Sequence, residues 1–153
     1  MLNGSVLFWR GGILVGPIYK QTGSLLTHVA IILDDVVYEA TPPQVHKLRL
    51  LDYNKHLDKL AASRFIQRRG FSWFIMQPRL EYSVDELAKM HIYAESQLGR
   101  PYRLRGWWSD DTSGIFCSQY IGNIIEKTGL IRSLDNKESP VSLYNKLLPF
   151  YRG

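Results

Sequence analysis

One apolar run, its turn and its return constrain this chain more than anything else in it. Residues 27–33, THVAIIL, are β-branched and almost wholly apolar, the pattern of a buried strand. Asp34-Asp35 makes a turn, and residues 36–40, VVYEA, return as a second strand that Pro42-Pro43 stops. Residues 5–10, SVLFWR, form a shorter strand ended by Gly11-Gly12. Weaker strand signals cover residues 45–50 and 64–69, and residues 13–22 read as a short helix interrupted by Gly16-Pro17.

The second half is helical. Ser83 and Glu86 form a capping box, and the helix they open runs to about Leu98, with Gly99 as its stop and Pro101 beyond. A second helix covers residues 117–127, stopped by Gly129. Ser139-Pro140 opens a third, ending near Leu147. Strands first and helices later predict one α+β domain over residues 1–153 rather than a doubly wound parallel sheet.

Composition narrows the function classes. With 153 residues the chain buries a sizeable core, and 45% apolar with 22% charged residues argues against a disordered tail, a collagen-like repeat or a coiled coil. One cysteine excludes an internal disulfide framework and a multi-cysteine zinc site. The N-terminal residues lack the pattern of a signal peptide, and no apolar stretch is long enough to span a bilayer, so a cytoplasmic location is expected. Of the net charge of +5, the excess lies in residues 1–80, notably Arg64, Arg68, Arg69 and Arg79. Such a patch is either a solvated face or a contact for an anionic surface.

The lone cysteine, Cys117, precedes the apolar series Ile121, Ile124 and Ile125, which puts it in the first turn of a buried helix. Free amide groups and the positive helix end favour a thiolate there, whereas most free cysteines are simply small buried hydrophobes. A catalytic thiol also needs a base. His46 and His56 lie in a polar stretch and read as surface residues, and His91 falls inside the capped helix. His28 opens the most apolar strand, where a polar ring needs a partner. If Asp34-Asp35 closes an even-length loop, Ala30 faces Glu39, and His28 and Glu39 share one sheet face as diagonal neighbours. A histidine oriented by a carboxylate supplies the second and third members of a Cys-His-acid constellation; a structural ion pair is the alternative.

Four segments carry a resemblance: Thr27-His28-Val29-Ala30-Ile31-Ile32, Tyr38-Glu39-Ala40-Thr41-Pro42, Leu98-Gly99-Arg100-Pro101-Tyr102 and Phe116-Cys117-Ser118-Gln119. In that order they resemble the circularly permuted branch of the NlpC-type papain-like cysteine hydrolases, over roughly residues 4–147. The resemblance implies a permuted papain-like domain, an antiparallel sheet packed against helices, with Cys117 as nucleophile at a helix N-terminus, His28 as base and Glu39 orienting it. It also implies Tyr102 in the pocket wall and no metal or organic cofactor. Two positions depart from the family pattern: Ser5 follows Gly4 where relatives often carry an aspartate, and Arg103 follows Tyr102 where they also often carry one.

The expected activity is therefore hydrolysis of an amide bond through an acyl-enzyme on Cys117, as an amidase or peptidase. Two alternatives stand beside it. One is a lipid acyltransferase or esterase of the same fold. The other is a non-catalytic basic binding module, with Arg68 and Arg69 near Phe71, Trp73 and Phe74. A peptide, an acylated amino acid or a lipid-like molecule is the expected substrate, and no specific nucleic acid is expected. Peptidoglycan as substrate would require export or delivery, as for a phage-encoded or secreted enzyme. Trp107 and Trp108 precede Cys117 in a loop, and Trp108 is expected to line the substrate groove.

Overall fold

Two tight hairpins set the register of the sheet. The computed structural model describes residues 3–12, 24–103 and 114–153. Six strands form one antiparallel sheet: β1 Ser5–Arg10, β2 Leu26–Leu33, β3 Val36–Thr41, β4 Gln44–Arg49, β5 Ser72–Pro78 and β6 Tyr151–Arg152. Their spatial order is β4-β3-β2-β1-β5-β6. Among the described residues five helices accompany them: α1 Leu50–Ala62, α2 Arg64–Gln67, α3 Val84–Ser96, α4 Cys117–Glu126 and α5 Pro140–Leu147. The α+β class read from the sequence is the one observed.

Leu33 pairs with Val36, so Asp34 and Asp35 alone close the first hairpin, at φ 48° and 60°. Positive φ at both central residues is the two-residue turn whose twist matches its strands. The Asp34 carboxylate accepts from Asn3 Nδ2 at 2.6 Å and from His91 Nε2 at 2.7 Å, which ties the turn to α3. Pro42-Pro43 closes the second hairpin, with Thr41 opposite Gln44.

Every residue of β2 is buried because helices cover both faces of the sheet. Val29, Ile31 and Leu33 join Val6 and Phe8 on the face packed by α3, α4 and α5. Ala30 and Ile32 join Leu7 and Val37 on the opposite face, under Tyr53 and Leu57 of α1 and Ile66 of α2. Period-two alternation thus divides one strand between two cores. α4 is buried from Cys117 to Ile125 with Asn123 only half so, its polar Ser118 and Gln119 included. Ser118 Oγ donates to the Glu138 carbonyl at 2.7 Å and Tyr120 Oη to that of Ala94 at 2.8 Å, which anchors the helix at its first turn.

The strand expected at residues 64–69 is instead the helix α2, capped by Ser63, whose side chain accepts from the Ile66 amide. It buries Ile66 alone, and four residues are too few for periodicity to separate helix from strand. The strand expected at residues 45–50 is β4, Gln44–Arg49. α1, β5 and β6 have no counterpart in the sequence reading. In α1 the buried Tyr53 and Leu57 are embedded among lysines, aspartates and a histidine, and β5 exposes Ser72 and Trp73. The short helix expected at residues 13–22 lies outside the described residues. No described helix is long and apolar enough to cross a membrane.

Candidate active site

His28 stands beside a bulge in β2. Trp9 of β1 pairs with His28, but the next residue, Arg10, pairs with Leu26, which leaves Thr27 as the extra residue. Bulges re-aim the side chains next to them, and Thr27 and His28 here line the same cavity. Thr27 Oγ1 donates to the Gly11 carbonyl at 2.8 Å and holds the bend.

β2 and β3 pair from Leu33–Val36 through Ile32–Val37 to Ile31–Tyr38. Glu39 and His28 lie past the last pair, and His28 Nε2 is 2.7 Å from Glu39 Oε2. The even-length turn puts both side chains on the α1 face. Tyr53 of α1 completes the contact, donating its hydroxyl to Glu39 Oε2 at 3.1 Å. From β4, His46 Nε2 lies 2.9 Å from Glu39 Oε1.

Three donors on a buried carboxylate decide its charge. Burial would favour the neutral acid, but the hydrogen bonds from His28 and His46 outweigh it and hold Glu39 far below the usual carboxylate range. The Tyr53 phenol moves the other way, kept protonated by burial and by the Glu39 charge. Burial likewise disfavours charge on His28, yet hydrogen bonds to Cys117 and Glu39 push its pKa up to about 10. With Nε2 committed to Glu39, Nδ1 is the nitrogen left for the thiol.

Cys117 is the first residue of α4, and the side chain of Phe116 before it makes no cap to the helix. The thiol packs in the core on the α3–α5 face, whereas His28 belongs to the α1 face. They meet where the β2–β3 pairing has ended, so the thiol reaches the imidazole from the opposite layer. Burial leaves Cys117 only 3% exposed.

A cavity of about 540 Å³ opens beside this group, with His28, Glu39, His46 and Tyr102 in its wall. Much of the remaining wall is apolar, from Trp9, Leu48, Leu60, Ile66 and Phe71. Tyr102 is half-buried, and burial, with the Cys117 charge second, keeps its phenol protonated.

The structure therefore brings Cys117, His28 and Glu39 together and sets Tyr102 in the adjoining wall. Trp107 and Trp108 lie outside the described residues. His46, read as a surface residue, is half-buried on Glu39 instead. The signal for it was present: a two-residue Pro42-Pro43 turn puts Glu39 directly opposite His46. His56 is exposed as expected, though it contributes to the cavity wall. Tyr53 was missed because α1 was not read as a helix. Arg64, Arg68, Arg69 and Arg79 are all exposed, with the Arg69 guanidinium 3.8 Å over the Phe65 ring. Phe71 is the aromatic of that segment that reaches the cavity; Phe74 stacks on Phe8 at 5.5 Å. Arg103 is buried, with Nη2 3.4 Å from Gln119 Oε1 and no partner for Nε or Nη1 among the described residues.

A solved structure shares this fold. It is the metalloprotein yiiX from Escherichia coli O157:H7, with a TM-score of 0.63 and 19% sequence identity, over 86% of this chain and 68% of that one. No family model matches the chain, and no curated protein matches it. At this identity the likeness is one of fold.

Proposed function

We propose that this chain is a thiol-dependent hydrolase of the circularly permuted NlpC-type papain-like kind, cleaving an amide bond through an acyl-enzyme on Cys117. The observation that carries this reading is the buried His28 ring, bonded through Nε2 to Glu39 at 2.7 Å, with Cys117 at the start of α4 as the other group that raises its pKa. A nucleophile, a base and a group orienting the base are what acyl transfer through a thiol requires. The order along the chain, His and Glu on a hairpin before the Cys helix, is the permuted order.

In this mechanism the Cys117 thiolate attacks the substrate carbonyl carbon, and the tetrahedral oxyanion takes a hydrogen bond from the Cys117 amide at the start of α4. The His28 proton passes to the leaving amine nitrogen as the C–N bond breaks. Water then attacks the thioester carbonyl and gives its proton to His28, and the C–S bond breaks to release the acid. Glu39 holds the ring in place and stabilises its charged form throughout.

The apolar cavity wall favours an acyl portion that is itself apolar, which keeps ester or acyl-transfer chemistry on a lipid-like substrate as a second reading. The acyl-enzyme is the same, and only the acceptor differs. The word metalloprotein belongs to the fold neighbour. Among the described residues of this chain no group of three or more His, Cys, Asp or Glu side chains is placed to hold a metal ion. Both His28 Nε2 and His46 Nε2 are turned onto Glu39.

Labelling with a panel of acyl-type activity probes, followed by mass spectrometry, tests the reading. An adduct on Cys117 that water releases, and that does not form in His28→Ala, is the expected result. Labelling of Cys117 no faster than a model thiol in every case would overturn it.

A further inference from the structure

Glu39 carries two histidines rather than one. The β3–β4 register sets His46 directly opposite Glu39, and its Nε2 lies 2.9 Å from Oε1, the oxygen His28 does not use. The other ring nitrogen, Nδ1, lies 3.1 Å from the Gln44 carbonyl oxygen. A carbonyl oxygen only accepts, and so does an ionised carboxylate. A neutral imidazole has a single N–H, so a ring between two such acceptors needs both nitrogens protonated. The Thr41 hydroxyl, 3.4 Å from Nδ1, is the partner a neutral ring would fall back on.

Charge balance gives this cation a purpose. A Cys117 thiolate, a His28 imidazolium and a Glu39 carboxylate sum to one uncompensated negative charge in a buried site, which is costly. A His46 imidazolium brings the sum to zero. We infer that His46 is a positioning residue for the Cys117–His28 pair, an imidazolium that clamps Glu39 through Oε1 and compensates the thiolate. The inference rests on the Cys-His-Glu reading above. Around His46 stand Glu39 and Thr41 of β3, His28 of β2, Tyr53 and His56 of α1, Tyr102 and, through His28, Cys117 of α4. Among these described neighbours Glu39 is the single carboxylate. Its hydrogen bond is the largest influence on His46 and raises the ring's pKa above the ordinary value.

The test compares wild type, His46→Gln and His46→Leu by the pH profile of Cys117 alkylation with iodoacetamide, a probe that needs no substrate. Glutamine keeps a donor for Oε1 and removes the charge; leucine removes both. With the compensating charge gone, forming the thiolate leaves a net negative site, so the acid limb moves to higher pH. We expect His46→Gln to react about ten-fold more slowly near a pH of about 6, and to reach the wild-type rate at high pH. His46→Leu should lose more. A His46→Gln profile that superimposes on a fast wild-type profile overturns the inference. A wild type that reacts like an ordinary thiol overturns the Cys-His-Glu reading instead. Long-range ¹H–¹⁵N correlation spectra of wild type give a readout independent of variant folding: both His46 nitrogens protonated at neutral pH is expected, and a neutral tautomer there rejects the clamp.

Discussion

Leu33 lies directly opposite Val36, so two residues and no more separate β2 from β3. From that pairing it follows that Glu39 shares a face with His28. Asp34 and Asp35 accept left-handed backbone to make the turn, at φ 48° and 60°, and such backbone costs an ordinary L-residue roughly 1–2 kcal/mol.

Asp35→Gly should therefore stabilise the protein, by about 0.5–1 kcal/mol, because glycine is the preferred second residue of this turn. The Asp35 carbonyl that receives the Leu50 amide is retained. Urea midpoints measure the gain, and Cys117 alkylation should not change. A lower midpoint would show that the aspartate side chain has a role beyond the turn.

The His28–Glu39 pair should shape stability against pH from two sides. Glu39 is held below its ordinary 4.5, so its contribution is full above about pH 4.5 and is lost as pH falls through the lowered folded value. His28 is raised from 6.5 to about 10, so its contribution is full below about pH 6.5 and is lost as pH rises through about 10. Unfolding of wild type and His28→Gln, followed in urea at several pH values, should show a gap that is wide near a pH of about 6 and closes by a pH of about 10. A gap of constant width would reject this linkage.

Donors to Glu39 should differ in weight. Tyr53→Phe removes one hydrogen bond from a neutral donor to the buried Glu39 carboxylate and leaves the His28 contact in place, so a loss of about 1.5–3 kcal/mol in stability is expected, with alkylation of Cys117 retained. Glu39→Gln should instead lower turnover by about 10²-fold or more, because the ring loses both its orienting group and the charge that stabilises its protonated form. Equal effects of the two substitutions on turnover would mean that the carboxylate serves packing rather than catalysis.

Leu48 offers a way to probe the cavity without disturbing the core, since it is 37% exposed yet stands in the cavity wall. Leu48→Ala should raise KM for substrates with an apolar acyl portion by roughly five-fold, the equivalent of about 1 kcal/mol of lost apolar contact. Stability and Cys117 alkylation should stay near wild type. If KM is unchanged across acyl chain lengths, the apolar portion does not sit against this wall.

Much of the candidate site was legible because short-range rules govern it. Period-two alternation places His28 and Glu39 on one face once the turn has even length, which the Leu33–Val36 pairing supplies. Local chemistry also marked the capping box at Ser83 and the helix opened by Ser139-Pro140, both present, and the start of α4 at Cys117. These depend on a few neighbouring residues and on backbone geometry alone.

The sequence by itself thus determined the hairpin, the starts of α3, α4 and α5 and the residue types of the candidate site. Only the tertiary structure decided which surfaces were covered. β5 takes its place in the sheet because Val6, Leu7, Phe8 and Trp9 of β1 pair with it. Residues 64–67 are helical although local pattern favoured a strand, and their Ile66 is buried against the sheet. His46 looks like a surface histidine until β4 lays it on a buried carboxylate, and Tyr53 is one more polar-helix residue until α1 packs over Glu39. Cys117 and His28 meet across opposite layers of the sheet, a contact between segments far apart in sequence. Local propensity and periodicity are energies of neighbouring residues, whereas burial and charge depend on what folds over a residue from elsewhere in the chain.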